Sequence, residues 1–269
     1  MRCVPASVRR LEAAGLFQLG TGCTLSPHAY LEPTDANGIT RPIVIGDGCV
    51  VADGAKLHGG TTLGEGVVVE EHVIVGKLEH GYAVGQTYTG EGGHSEIGAG
   101  VILRSGAIIY ADVHIGPATT IGHGTLLRTG VQVGEASQLG HHLVVERATR
   151  IGRLVRCSPL SHLTSSMVIE DRVFVGAGVV TINDKIMCWH QPDQTPQLRA
   201  PCFAHGARIG SGATIAAGVR VGRHALVGSA SLVTHDVPDH AVVYGVPARV
   251  HGRTWSEAGA AADTELTTP

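Results

Sequence analysis

Aromatic and charged residues are scarce in this chain of 269 residues, at 4% and 16% of the total. The formal net charge is −3, so the chain lacks the basic field that would attract nucleic acid. No apolar run reaches the length of a membrane span, and the N-terminus lacks a signal-peptide core. The six cysteines form no CxxC pair, which favours reduced thiols. We therefore expect a cytoplasmic protein with no nucleic acid and no membrane among its partners.

A six-residue period organises most of the chain, and its anchor positions are apolar. Of 26 anchors, 24 are Ile, Leu or Val. The anchors are Ile45, Val51, Leu57, Leu63, Val69 and Val75; Ile97, Leu103, Ile109, Ile115, Ile121, Leu127, Val133, Leu139, Val145, Ile151, Cys157, Leu163, Ile169 and Val175; and Phe203, Ile209, Ile215, Val221, Val227 and Val233. Small or β-branched residues such as Cys49, Ala55 and Thr119 stand four positions after an anchor. Many of the 38 glycines directly follow an anchor, as tight turns favour.

This spacing is not that of a helix; it fits short strands that each turn two side chains inward and are joined by tight turns. Many such turns make a solenoid whose interior is a stack of side-chain columns. The repeat resembles that of the left-handed parallel β-helix acyltransferases, over roughly residues 19–251. In that family three hexads make one triangular coil, so residues 18 apart stack. The resemblance implies an all-β fold: a left-handed parallel β-helix shaped as a triangular prism.

Short segments flank this domain. Residues 1–18 form an N-terminal segment, in which Ser7 to Phe17 predict one or two helical turns. Residues 252–269 form a small, polar tail that we expect to be disordered. No second domain is indicated.

Two loops, 77–96 and 183–201, are inserted into the β-helix. They carry most of the scarce aromatic residues, and long loops in a tight solenoid are often functional. We expect Tyr88 and Trp189 to contact substrate. A cap over the side of the coil is the alternative.

Histidines stand in glycine-framed turns at TIGHGTLLRTG and LGHHLVVE. His123 and His141 are 18 residues apart, so an 18-residue coil would stack them at one corner, with His142 beside them. Neutral imidazole accepts a proton from an attacking amine or hydroxyl near pH 7, so His123 or His141 is a candidate catalytic base. The sequence leaves open which of them acts, and whether an amine needs a base. Solvated loop histidines are the alternative.

A metal site is a third interpretation of this turn. TIGHGTLLRTG is similar to a turn in the γ-class carbonic anhydrases, where a second His follows the first by five residues. Arg128 stands at that place, and a guanidinium cannot ligate zinc. Upstream, where the third ligand would come, lies Thr87. We therefore expect no metal, and we expect Arg128 and His142 to bind substrate.

The C-terminal coils end in YGVPAR. This segment resembles the closing V-x-G-N-P-A-[KR] segment of hexapeptide acetyltransferases, with Val246 in place of the usual Asn. In that family coenzyme A lies between adjacent prisms of a trimer, beside these coils. The resemblance implies a homotrimer with acetyl-CoA, or another acyl-CoA, as co-substrate. The residues expected to contact this cofactor are Ser211, Gly212, Ser229, Ala230, Pro247 and Arg249.

A second segment, Met167 to Lys185, resembles the E-D-x-V-F-V-G…T-N-D segment of nucleotide-sugar N-acetyltransferases. There the Asn-Asp pair opens a loop at the active site, which implies that Asn183 binds the acceptor and that Asp184 orients its amino group for catalysis. The usual Pro-Arg after this pair is absent. The sequence therefore does not distinguish a small-amine acceptor from a nucleotide-linked amino sugar. An Asn-Asp pair at a strand end also commonly makes only a turn.

The leading hypothesis is a CoA-dependent acyltransferase that moves an acetyl group to the amine of a small molecule or amino sugar. An O-acyltransferase is the nearest alternative. A γ-carbonic-anhydrase-like metalloprotein and a non-catalytic β-helix scaffold are the other two.

Overall fold

The computed structural model describes residues 6–34, 38–79, 93–187 and 197–254. Within these ranges the chain is a left-handed parallel β-helix whose short strands join three sheets in turn. The sheets are the faces of a triangular prism, and the turns between them are its edges. The predicted all-β fold is confirmed.

The strands are two to six residues long, because each face of a coil is only one hexad wide. The described strands of the first sheet are β1 (Phe17–Leu19), β4 (Ile43–Ile45), β7 (Thr61–Leu63), β10 (Ser95–Ile97), β13 (His114–Ile115), β16 (Gln132–Val133), β19 (Arg150–Ile151), β22 (Val168–Ile169), β25 (Cys202–Phe203) and β28 (Arg220–Val221). Those of the second sheet are β2 (Thr24–Leu25), β5 (Val50–Val51), β8 (Val68–Val69), β11 (Ile102–Leu103), β14 (Thr120–Ile121), β17 (Gln138–Leu139), β20 (Arg156–Cys157), β23 (Phe174–Val175), β26 (Arg208–Ile209), β29 (Leu226–Val227), β31 (Ala241–Gly245) and β32 (Ala248–Arg253). Those of the third sheet are β3 (Tyr30–Glu32), β6 (Lys56–His58), β9 (Ile74–Lys77), β12 (Ile108–Tyr110), β15 (Leu126–Leu127), β18 (Val144–Val145), β21 (His162–Leu163), β24 (Val180–Thr181), β27 (Thr214–Ile215) and β30 (Leu232–Val233).

Strand pairing confirms the predicted 18-residue coil. Ile102 pairs with Thr120, and Thr120 pairs with Gln138, in parallel register. Across each inserted loop the step is 34 residues, since Leu103 pairs with Val69 and Val180 pairs with Thr214. Each loop therefore leaves the coil and returns to it without breaking the stack.

The interior of the prism is the anchor column together with the column of small residues. All 26 anchors are buried, with at most 4% of each residue exposed. Hydroxyl residues from Thr119 to Ser161 enter the second column because their side chains bond to the next coil. Thr125 Oγ1 donates to the carbonyl of Gly140 at 2.7 Å and accepts from the N–H of Leu143 at 3.1 Å. Such bonds remove the penalty of burying a polar group.

Glycine after an anchor is required by the close stacking of the turns. A Cβ on Gly122 would lie 2.7 Å from the backbone nitrogen of His141 and closer still to the carbonyl group of Gly140. Two residues later the chain enters the left-handed region, with φ of +63° at Gly124 and +54° at His142. Each edge thus repeats one turn conformation from coil to coil.

The two ends of the described chain depart from the repeat. Helix α1 (Ala6–Ala13) packs Val8 against the core, and it ends because Gly15 adopts a φ of +71°. The observed helix therefore ends before the predicted segment does, and Phe17, the last residue of that segment, begins β1. Strands β31 and β32 form an antiparallel hairpin that the six-residue period does not predict. Strand β32 extends through Arg253, two residues into the predicted tail, and residues 255–269 lie outside the described ranges.

Candidate active site

One edge of the prism, where the chain passes from the second to the third sheet, collects half of the predicted site residues. We call it the histidine edge, and its residues two positions after the anchors are Asp53, Glu71, Ser105, His123, His141, Pro159, Ala177, Ser211 and Ser229. Backbone hydrogen bonds join each turn to the next: the N–H of His142 donates to the carbonyl of His123, and that of Ala230 to Ser211, both at 2.8 Å. The candidate base and the candidate cofactor column therefore lie on one edge.

The imidazoles of His123 and His141 stack on successive coils. Their ring centroids are 5.0 Å apart and their planes differ by 21°. The backbone N–H of His123 donates to Nδ1 of His141 at 3.0 Å. Neutral His141 therefore carries its proton on Nε2, where it is a hydrogen-bond donor rather than an acceptor.

Glu70 approaches the other histidine of the pair. Its Oε2 lies 3.9 Å from Nδ1 of His123. The carboxylate is held by Arg104 Nη1 at 2.6 Å, and by the N–H and hydroxyl of Ser105 at 2.9 and 3.2 Å. Although burial opposes ionisation, these donors hold the pKa of Glu70 below its ordinary value. An ionised carboxylate thus faces His123.

His142 has a packing role at this edge. It occupies the left-handed position, and its ring covers the turn of the preceding coil. A Cβ on Gly124 would lie 2.5 Å from Nδ1 of His142. The same arrangement recurs between Gly206 and His224, so it belongs to the repeat as much as to the site.

A groove of about 460 Å³ runs along the second sheet beside His141. Its polar lining consists of Arg104, Thr120, Gln138, His141, Arg156 and Ser158, and none of the described residues that line it is Asp or Glu. Arg104 is paired with Glu70. Arg156 lies over the ring of Phe174, with 5.9 Å from Cζ to the centroid, and forms no ion pair within the described ranges. The groove therefore suits an anionic ligand.

Small residues continue the histidine edge toward the C-terminus. Ser211 lies three coils from His141, or about 14 Å at the usual spacing of parallel strands. Gly212 and Ala230 occupy the left-handed position, with φ of +70° and +56°, and both are exposed. The turns formed with Ser229 thus leave the backbone open to a long ligand.

Arg128, Asn183 and Asp184 lie on a different edge, where the chain passes from the third to the first sheet. The side chain of Arg128 is only 14% exposed and forms ion pairs with Glu79 and Glu146. Glu79 is itself buried, with 2% of its side chain exposed. Arg128 is therefore held by two carboxylates of its own chain, and one chain does not bring these residues to the histidines.

The Asn-Asp pair is engaged in local hydrogen bonds. Asn183 Nδ2 donates to the hydroxyl of Ser165 at 2.9 Å. Asp184 Oδ1 accepts from the N–H groups of Ile186 and Met187, at 3.0 and 3.1 Å. These bonds close a turn at the start of the second inserted loop.

The remaining predicted contacts fall at the C-terminal hairpin or outside the described ranges. Pro247 lies at the tip of the hairpin, and Arg249 pairs across it with Tyr244. The predicted substrate contacts Tyr88 and Trp189 both lie outside the described residues.

Metal-ligating side chains do not cluster in the described part of the chain: no three His, Cys, Asp or Glu residues there come together as a ligand set. At the place where the similar carbonic anhydrase turn has its second His, Arg128 pairs with carboxylates instead. The described ranges also contain no helix that is long and apolar enough to cross a membrane.

Glu70, Arg104 and Arg156 belong to the site but were not among the residues expected from the sequence. The first inserted loop lies in the sequence between Glu70 and the residues that it contacts. A strict 18-residue step from Glu70 therefore does not reach those residues. The signal is the 34-residue step that pairs Val69 with Leu103, which brings Glu70 beside Arg104. Arg156 lies one coil beyond Gln138, on an outward position of the second sheet.

The fold and this edge define a class of protein, the parallel β-helix of hexapeptide repeats. No family model matches the chain. A dTDP-3-amino-3,6-dideoxy-α-D-galactopyranose 3-N-acetyltransferase of Aneurinibacillus thermoaerophilus is 51% identical over 47 residues, 18% of this chain and 24% of that protein. A serine acetyltransferase of Salmonella typhimurium is 35% identical over 115 residues, 41% of this chain and 38% of that protein. The chain is thus similar, over less than half of its length, to an amino-sugar N-acetyltransferase and to a serine acetyltransferase.

Among solved structures, similarity extends over most of the chain only at low sequence identity. A UDP-N-acetylglucosamine acyltransferase from Campylobacter jejuni matches 88% of this chain and 71% of its own, with 15% identity and a TM-score of 0.41. The chain spans only about a quarter to two fifths of the length of the two curated relatives described above.

Proposed function

We propose that the protein transfers the acetyl group of acetyl-CoA to the amine of an amino sugar, either nucleotide-linked or free. The observation that carries this proposal is the histidine edge, where an imidazole pair, a cationic groove and a run of small turns lie in one line. The names of the curated relatives support the reaction class, and the sugar 3-N-acetyltransferase supports an amino-sugar acceptor.

His123 is the proposed general base. The Glu70 carboxylate, 3.9 Å away, favours a proton on Nδ1, which leaves the lone pair of Nε2 for the proton of the attacking amine. The amine nitrogen bonds to the thioester carbonyl carbon, the C–S bond breaks, and the thiolate leaves. His141 is the proposed donor to the carbonyl oxygen, since its Nδ1 already accepts the His123 N–H.

The groove beside His141 is the proposed acceptor site. A diphosphate would neutralise Arg156, and it would find hydroxyl and amide donors at Thr120, Gln138 and Ser158. The groove therefore favours an amino sugar linked to a nucleotide over a small neutral amine.

The small turns are the proposed donor site. The pantetheine arm of acetyl-CoA would lie along Ser211, Gly212, Ser229 and Ala230, with its thioester toward the histidines. Arg249 and Pro247 of the C-terminal hairpin would flank the nucleotide end. Small side chains allow the amides of the arm to reach the backbone of these turns.

A homotrimer is part of this proposal. Arg128, Asn183 and Asp184 stand on another edge of the same prism, so they can act only on a histidine edge that belongs to a second copy. Asp184 of the partner subunit would then face the amino group, with His142 nearby. Such assembly follows the rotational symmetry common among oligomers. We place the protein in the cytoplasm, and the described cysteines Cys23, Cys49, Cys157 and Cys202 are free thiols.

Release of the coenzyme A thiol, measured with a panel of nucleotide-linked amino sugars and with serine, tests this function. We expect release with an amino sugar. His123→Asn should lower kcat by about 10²- to 10⁴-fold and leave the Kd of acetyl-CoA unchanged. His114→Asn is the matched control, because His114 is a half-exposed histidine on the first sheet.

Three outcomes would contradict the proposal. Transfer to serine without transfer to any amine would indicate an O-acyltransferase. A wild-type protein that binds no acetyl-CoA at millimolar concentration would indicate a scaffold. Stoichiometric zinc in the purified protein would favour the metalloprotein.

A further inference from the structure

The C-terminal hairpin carries an exposed aromatic pair that the proposed chemistry does not use. The rings of Tyr244 and His251 stack with centroids 3.6 Å apart and planes 8° apart. Tyr244 is 47% exposed, and His251 is exposed as well. Such a pair presents a flat π surface to solvent in a chain where aromatic residues are only 4% of the total.

Tyr244 stands at the end of the histidine edge. Val243 pairs with Val227, so Tyr244 occupies the place that Gly228 holds one coil earlier. A Cβ on Gly228 would lie 2.7 Å from the Cβ of Tyr244. Five coil spacings, or about 24 Å, separate Tyr244 from Gly140, the residue beside His141.

Only small residues fill the equivalent places between these two points. They are Ser158, Gly176, Gly210 and Gly228. In this column the first large side chain after Gly140 is therefore Tyr244, and the exposed Leu160 lies beside the column on the turn that follows Ser158.

The charge of the hairpin matches a nucleotide. Residues 241–254 contain Arg249 and Arg253 and no Asp or Glu. Arg249 is the cross-strand partner of Tyr244, which puts a guanidinium next to the π surface. Aromatic faces stack nucleobases whatever their sequence, and guanidinium groups bind phosphate oxygens.

We propose that the Tyr244–His251 pair binds the adenine ring of the acyl donor. This inference rests on the proposed function, because it takes acetyl-CoA as the ligand of the histidine edge. It adds that Tyr244 gives the site its preference for coenzyme A over shorter thioesters. The aromatic pair stacks on the adenosine end, and the small turns hold the pantetheine arm.

Calorimetric titration with coenzyme A and with 4′-phosphopantetheine, which lacks the adenosine, tests the assignment. Tyr244→Ala should raise the Kd of coenzyme A by about 5- to 150-fold, the range for loss of one base stack. The Kd of phosphopantetheine should stay unchanged. Tyr244→Phe keeps a ring and should retain most of the affinity. Tyr30→Ala is the matched control, since Tyr30 is a 65% exposed tyrosine on the third sheet at the other end of the prism.

Several results would overturn the assignment. Unchanged coenzyme A binding by Tyr244→Ala would show that the ring does not touch the adenine. Equal weakening of phosphopantetheine would show that the substitution distorts the hairpin. A lower assembly mass for Tyr244→Ala with unchanged affinity would make the pair a subunit contact. In each case the proposed function stands as long as the wild-type protein binds acetyl-CoA. If the wild-type protein does not bind acetyl-CoA, both the proposed function and the adenine assignment fail.

Discussion

Gly122→Ala is expected to destabilise the prism more than any ordinary turn substitution. Gly122 directly precedes His123 and has no positive φ, so the glycine is needed for space rather than for conformation. Its new Cβ would collide with rigid backbone, 2.7 Å from the nitrogen of His141 and closer to the carbonyl group of Gly140. Carbon atoms prefer to lie about 3.5–4.0 Å apart, so the two coils must separate locally by roughly 1 Å.

That separation of the two coils determines how much free energy of unfolding is lost. Overpacking of a rigid interior costs about 1–3 kcal/mol. The hydrogen bonds between these turns, from the N–H of His142 to the carbonyl of His123 and from the N–H of His123 to His141, weaken as well. Each contributes about 0.5–1.5 kcal/mol. We expect a loss of about 2–5 kcal/mol in the free energy of unfolding.

Gly178→Ala is the matched control on the same edge. Gly178 has a φ of +66°, and no atom lies within 4 Å of its added Cβ. Its substitution therefore introduces only the strain of a left-handed alanine, about 1 kcal/mol after the entropy of the unfolded chain is included. Urea unfolding followed by circular dichroism, at constant m-value, compares the two variants. If Gly122→Ala loses no more stability than Gly178→Ala, the turns are not stacked as closely as described.

Three further predictions concern buried or paired groups. Arg128→Met should destabilise the protein by about 2–4 kcal/mol, because it leaves the buried Glu79 without its principal cation, and adding Glu79→Gln should recover part of the loss in the same urea assay. The Glu146 carboxylate, whose Oε1 lies 3.8 Å from Nε2 of His162, raises the pKa of that imidazole. The stability that His162 provides is therefore fully present below pH 6.5, its unfolded value, and is lost as pH rises through the folded pKa. Wild type should therefore exceed His162→Gln in stability at pH 6 by more than it does at pH 9. Burial raises the pKa of Cys157 to about 12, so mass spectrometry should find this thiol unmodified by iodoacetamide in the folded protein and alkylated after unfolding; modification of the folded protein at pH 8 would contradict its burial.

The fold was predictable because one rule acts at every coil. An interior only two side chains wide demands an apolar anchor every sixth residue, and Ile121, Leu139 and Cys157 satisfy it in succession. The same period implies that His123 and His141 stack, and the structure has them 5.0 Å apart. A period of this kind can be recognised in a single sequence because every coil requires the same residue types at the same positions.

The candidate site was less predictable, since its chemistry depends on exceptions to the period. Glu70 lies two coils before His123, but the inserted loop adds residues between them, so an 18-residue step does not bring them together. The tautomer of His141 depends on a backbone N–H whose direction no residue pattern encodes. Asn183 lies ten hexads from His123, which is not a multiple of three, so it falls on another edge. Whether it reaches a histidine depends on how copies of the chain assemble, which the period does not encode.

The straight course of the histidine edge determines which changes in chain length the proposed site would tolerate. A complete coil inserted before Glu70 would lengthen the prism and leave the spacing of the site unaltered. A coil inserted between His141 and Ser211 would move the small turns by about 4.8 Å relative to the imidazoles. A thioester donor has an arm of fixed length and would no longer span both points. The number of coils between His141 and Ser211 therefore sets the length of donor that this edge accepts.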